Sequence, residues 1–220
     1  MARLLFEKIG NAVWISHLDL MRLFQRAFKR AGLPLTHTQG YNPRPSVSIA
    51  LPLLVGLESN CELLDFDLDG DVRFSCDEIK RRLNDALVAG VRVLEVYEEG
   101  RKIRDLALLS CRVELEYDNG VPAGACEAID ALLKRESLII EKRTKRKELA
   151  EVDIAPMILD SVVTAGEKAV HIDLTVQAQN PGLNPQLIEK AIVRELPELA
   201  PDFVRIRRKR ILDANGKDFR

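Results

Sequence analysis

Aromatic side chains are scarce in this chain of 220 residues, with seven Phe, three Tyr and one Trp making up 5 % of it. A core with so few rings must be built from Leu, Ile, Val and Ala. The apolar share of 46 % suffices for one, which excludes wholesale disorder. Net charge is also lacking: it is −1 although 30 % of residues are charged, so only local clusters can speak for a polyanionic partner. The four cysteines, Cys61, Cys76, Cys111 and Cys126, form no CxxC pair and have no His at ligand spacing. That argues against a zinc or iron–sulfur site and leaves free thiols packed as small hydrophobes, with no metal and no cofactor expected. No apolar run approaches the roughly 20 residues that span a bilayer. At the N-terminus the run ending at Phe6 meets Glu7 and Lys8 at once, unlike a signal peptide. The expectation is a soluble, cytoplasmic protein without a membrane partner. A Gly-rich phosphate loop, a dinucleotide fingerprint, GxSxG and HExxH are all missing, so no complete catalytic motif is present and the reading leans away from an enzyme.

What is present has the rhythm of an α+β protein. Leu4 to Ile15 is rich in β-formers, with a turn signal at Gly10-Asn11, and reads as a strand or tight hairpin. Ser16, with Asp19 three residues on, caps a helix whose Leu20, Leu23, Phe24, Ala27, Phe28 and Ala31 form one apolar stripe. Arg22, Arg26, Lys29 and Arg30 take the other side, and Gly32 and Pro34 stop the helix. Strands at 46–53 and 61–68, a helix capped by Ser75, and a strand at 91–97 complete the order β-α-β-β-α-β. The charged stretch 98–104 marks a boundary. The second half repeats the order: alternating strands at 111–117 and 170–176, helices at 123–135 and after Asn184-Pro185, a strand at 138–144 and a last strand at 203–212. The fold expected is therefore two tandem ferredoxin-like βαββαβ units with antiparallel sheets, at 1–104 and 105–220, the second carrying an insertion around 145–165.

Two segments hold the unusual residues. One is the helix start with Ser16, His17, Asp19 and Arg22. There the helix dipole favours a neutral imidazole, so His17 is the one candidate for a general base. The other is the loop Gln39, Gly40, Tyr41, Asn42, Pro43, Arg44, Pro45. Two prolines stiffen it, so Tyr41 can stack, Asn42 can hydrogen-bond and Arg44 can pair with phosphate. Two basic runs add to these: Lys142, Arg143, Lys145, Arg146, Lys147, and Arg205, Arg207, Arg208, Lys209, Arg210. They read either as edge protection of a sheet or as a phosphate-binding surface. The alternating carboxylates Asp65, Asp67, Asp69 and Asp71 lack the downstream pattern of a calcium loop and read as a solvated turn.

The motifs Ser16-His17-Leu18-Asp19-Leu20-Met21-Arg22, Gln39-Gly40-Tyr41-Asn42-Pro43-Arg44-Pro45 and Ala50-Leu51-Pro52-Leu53 resemble the bacterial radical-SAM-linked domain. That domain stands alone or is fused behind a cobalamin-binding radical SAM protein. The likeness runs the length of the chain and continues through Val152-Asp153-Ile154-Ala155-Pro156. It implies an accessory role beside a radical SAM partner, with RNA (tRNA or rRNA) as a second partner. It also implies a functional surface at Ser16, His17, Asp19, Gln39, Gly40, Tyr41, Asn42, Pro43 and Pro45. No CxxxCxxC motif is present, so the chain is not itself the radical enzyme. Three functions stay open: a non-catalytic RNA-binding accessory module, a protein-binding adaptor without nucleic acid, and a metal-independent RNA endonuclease using His17.

Overall fold

The computed structural model describes residues 1–70, 73–143 and 149–220, with the backbone alone for Lys142, Arg143 and Leu149. The architecture is α+β with mostly antiparallel strands, and the chain divides into two units: Met1–Asp105 with Asp218–Arg220, and Leu106–Lys217.

Unit 1 runs β1 (Ala2–Lys8), α1 (His17–Arg30), β2 (Val47–Ile49), β3 (Glu58–Phe66), α2 (Cys76–Ala86) and β4 (Val91–Tyr97). Its strands lie in the order β4-β1-β3-β2, and every neighbour is antiparallel. Residues Gly10–Trp14 form a 3-10 turn, not the hairpin arm that their β-forming side chains suggest. Gly10 has φ 57°, which breaks the extended run and turns the chain toward α1. Leu4 and Phe6 point to the same face as Leu64 and Phe66, and that face meets Leu20, Phe24, Ala27 and Phe28 of α1 and Ile79 and Leu83 of α2. The Phe6 and Phe24 rings pack edge to face at 4.8 Å, an arrangement that aromatic quadrupoles favour.

The opposite face of β1 carries a buried charge. Arg3 is 2 % exposed. Its Nε and Nη2 donate to the two carboxylate oxygens of Asp65 at 2.6 and 2.9 Å. Asp65 is therefore not part of a solvated turn, and Asp67 pairs with the N-terminal ammonium at 3.4 Å, while Asp71 lies outside the described residues. The Phe219 ring covers Arg3 at 5.4 Å and also lies 5.0 Å from the Arg101 guanidinium. Gly100 passes so close that a Cβ there would sit 2.5 Å from Arg3 Cζ.

Unit 2 runs β5 (Leu106–Glu116), α3 (Ala125–Leu133), β6 (Ile139–Arg143), β7 (Leu149–Asp153), β8 (Ile158–Ala165), β9 (Ala169–Gln177), α4 (Gln186–Glu195) and β10 (Phe203–Asp213). The main strands order as β10-β5-β9-β8, all antiparallel, while β6 and β7 form a separate hairpin. Of the segment expected at 138–144 as a sheet strand, Ile139–Arg143 is one arm of that hairpin and residue 144 lies outside the described residues, while 158–165, expected within an insertion, is the sheet strand. Asp153 fixes the hairpin base: one oxygen accepts from Leu138 N at 2.8 Å and from Ala155 N at 3.1 Å. Cys61 and Cys111 are buried and Cys76 and Cys126 half-buried, all as free thiols.

Removing one partner of a buried pair strands the other charge. Asp65→Ala is expected to lower the unfolding free energy by about 3–5 kcal/mol, read by urea denaturation. A loss below about 1 kcal/mol would show that Arg3 is solvated after all.

Candidate functional site

The start of α1 is a closed hydrogen-bond network. Ser16 Oγ accepts from Asp19 N at 3.2 Å and donates to Asp19 Oδ2 at 2.7 Å. Arg22 Nη1 donates to Asp19 Oδ1 at 3.0 Å. The Ser16 hydroxyl first, and the Arg22 guanidinium second, hold the Asp19 carboxyl below the usual carboxylate range. The polar groups of Ser16, Asp19 and Arg22 thus serve the helix cap. His17 is half-buried beside them and makes no hydrogen bond among the described residues, so no second group orients it as a general base must be oriented.

The second segment is a tongue. Thr36 N donates to Asp67 O at 2.9 Å, Ser46 N to Thr36 O at 2.7 Å, and Thr38 N to Arg44 O at 2.8 Å. Arg44 N closes it by donating to Thr38 Oγ1 at 3.1 Å. A bridge between His37 and Pro45 completes a short ladder. At the tip Gly40 takes φ 141° and Tyr41 is 99 % exposed. The side chains of Gln39, Tyr41, Asn42 and Arg44 are all exposed and make no hydrogen bond among the described residues.

Strand direction sets these two segments apart. The tongue roots where β2 begins, at Val47 opposite Phe66, and Ala2 at the start of β1 also pairs with Phe66. The start of α1 follows the other end of β1, where Lys8 pairs with Ser59. The 14 residues of α1, about 21 Å long, lie between cap and tongue root. On its exposed side α1 carries Arg22, Arg26, Lys29 and Arg30, and the last three lie in the half that leads toward the tongue.

The basic strand is partly neutralised. Arg205 pairs with Glu116, and Lys209 reaches Asp173 at 3.3 Å. Arg207 and Arg210 are exposed, whereas Arg208 is buried at 8 %. The other basic run, Lys142, Arg143, Lys145, Arg146 and Lys147, lies outside the residues whose side chains are described. One feature absent from the sequence reading is an apolar group near the helix cap. Trp14 is 68 % exposed and Leu18 66 %, and the Trp14 ring lies against Gly56, beside the exposed Leu54 and Val55.

Residues 2–185 match the family described as "Uncharacterized protein conserved in bacteria (DUF2344)". The chain belongs to that family. A comparison with curated proteins found no match. Among solved structures, a chain of a Cbf5-Nop10-Gar1 complex aligns with a TM-score of 0.51 at 11 % identity, over 96 % of this chain. This DUF2344 chain spans 48 % of that one, and the likeness concerns the fold alone. A protein of unknown function from Galdieria sulphuraria aligns over 94 % of this chain and 96 % of its own at 14 % identity, with a TM-score of 0.26. Among the described residues no helix is long and apolar enough to cross a membrane.

Ser16→Ala is expected to cost about 1 kcal/mol, seen as a lower Tm, because one end donor of α1 loses its acceptor. The Asp19 contribution has a definite sign: a folded pKa below the unfolded value of about 4 stabilises above that value and fades as pH falls through the folded one. Asp19→Asn should therefore flatten the acid limb of a Tm-against-pH curve; an unchanged limb would refute the cap network.

Proposed function

We propose that this DUF2344 chain is an RNA-binding accessory module of the cytoplasm, built from two ferredoxin-like units and working beside a radical SAM enzyme. Strand orders β4-β1-β3-β2 and β10-β5-β9-β8, with helices placed as in the split βαβ unit, support the fold reading. The observation that carries the function is the tongue. A hydrogen-bonded ladder holds Gln39, Tyr41, Asn42 and Arg44 in solvent, and none of these side chains makes a hydrogen bond among the described residues. A rigid ring, an amide and a guanidinium displayed this way match an unpaired base and its phosphate: the ring stacks, the amide reads an edge, the guanidinium neutralises. Arg26, Lys29 and Arg30 on α1 extend the positive surface toward the tongue root. The radical SAM link rests on the resemblance of the Ser16–Arg22 and Gln39–Pro45 motifs.

The exposed Trp14, whose ring lies against Gly56 next in sequence to the exposed Leu54 and Val55, favours a second reading, a protein-binding adaptor, because an exposed Trp beside further exposed apolar residues suits a contact surface.

Fluorescence anisotropy with a labelled single-stranded RNA tests the first reading. Tyr41→Ala should weaken binding about 5- to 150-fold, the worth of one stacked base. Arg44→Ala should reduce the slope of log affinity against log salt by about one. No RNA binding at moderate salt, with a protein partner retained after nuclease and lost on Trp14→Glu, would replace the module with the adaptor.

A further inference from the structure

The side of the unit 2 sheet facing away from its apolar core carries a row of chemically active groups that no motif announces. Alternation puts Val113, Leu115, Ile172 and Leu174 inward, each at most 2 % exposed, and sends the residues between them outward. Register then aligns four outward residues across four strands. Arg205 on β10 lies opposite Glu114 on β5, Glu114 opposite His171 on β9, and His171 opposite Thr164 on β8. Directly opposed side chains on one face have Cβ atoms about 5 Å apart.

The neighbouring charges are hydrogen-bonded to one another, whereas Glu114 is held only by the field of Arg112. Arg112 donates to Asp173 through two nitrogens, Lys209 reaches the same carboxylate, and Arg205 pairs with Glu116. Glu114 makes no hydrogen bond among the described residues. Nδ1 of His171 is buried without a partner. Both residues line a shallow cavity of about 520 Å³, together with Arg205, Arg207 and Lys168. Gly166 forms its wall, where a Cβ would come within 3.0 Å of His171 Nε2. A carboxylate and an imidazole opposed on one rung, neither hydrogen-bonded among the described residues and both flanked by guanidinium groups, are the set that general acid–base catalysis at a phosphodiester needs.

We propose that this cavity is a metal-independent centre for cleaving single-stranded RNA. Glu114 takes the proton of a ribose 2′-hydroxyl, and the 2′-oxygen attacks the adjacent phosphorus. The bond from phosphorus to the 5′-oxygen breaks, and protonated His171 gives its proton to that leaving oxygen. Arg205 and Arg207 hold the non-bridging oxygens as charge builds on them. The products are a 2′,3′-cyclic phosphate and a 5′-hydroxyl. Proton exchange with water resets Glu114 and His171, so no oxidant, metal or co-reactant is consumed. This centre differs from the His17 endonuclease of the sequence reading and does not rest on the tongue.

The test incubates the full chain with a short oligouridylate in EDTA and identifies the products by mass spectrometry. Cleavage leaving a 2′,3′-cyclic phosphate is expected, and a 2′-deoxy substitution at the scissile nucleotide should abolish it. Glu114→Gln and His171→Gln should each slow it about 100-fold or more. Glu114 makes no hydrogen bond among the described residues and only a half-exposed charge interaction with Arg112, so Glu114→Gln should stay folded with a small change in Tm and remain informative if His171→Gln does not fold. No cleavage by the wild-type chain, or cleavage that a well-folded Glu114→Gln chain retains in full, overturns the proposal.

Discussion

The bidentate pair between Arg3 and Asp65 fixes the register on which unit 1 depends. Side chains alternate along a strand, so a one-residue slip of β1 against β3 would turn Leu4 and Phe6 out of the core and drive Arg3 into it. A buried ion pair adds little net stability because desolvation offsets most of the attraction. Its value here lies in what it forbids. Phe219 stacked over the guanidinium and Gly100 pressed against it leave the Arg3 side chain one position to occupy.

The same alternation sorts charge from apolar surface in unit 2. On β5, β9 and β10 the inward positions are mostly Val, Leu, Ile and Cys, with the buried Arg208 among them, and most outward ones are Arg, Lys, Glu, Asp or His. Cross-strand ion pairs then use up much of the outward charge. What stands out against such a background is a group without a hydrogen bond, and among the described residues that status falls to Glu114 and His171, which face each other across one rung of the ladder.

How much of this was legible in the sequence depends on the range over which the deciding interaction acts. The helices were legible because their signals are local: Ser16 and Ser75 accept from the third backbone N–H after the cap, as the spacing dictates, and the stripe Leu20, Phe24, Ala27, Phe28 is buried. The long alternating runs of β5 and β9 were legible for the same reason. The turn at Gly10–Trp14 was not, because β-forming side chains describe a preference that one positive φ at Gly10 overrides. The hairpin arm Ile139–Arg143 and the sheet strand Ile158–Ala165 were not told apart locally, since both are short and only partner choice decides between a hairpin arm and a sheet strand. At the candidate site, the tongue's composition was readable but its separation from the helix cap was not: strand direction alone sends the two motifs to different ends of unit 1. The rung joining Arg205, Glu114 and His171 lies beyond any local reading, because residues 57 to 91 positions apart meet only through register.

Because Phe219 belongs to unit 1, that unit is discontinuous along the chain, with the whole of unit 2 inserted between residue 105 and residue 218. On a ribosome the contiguous segment 106–217 is made in full before residues 218–220 emerge. Unit 1 must wait with Arg3 uncovered until those residues arrive. The order of synthesis therefore runs against the order of completion: the half made first is the half finished last.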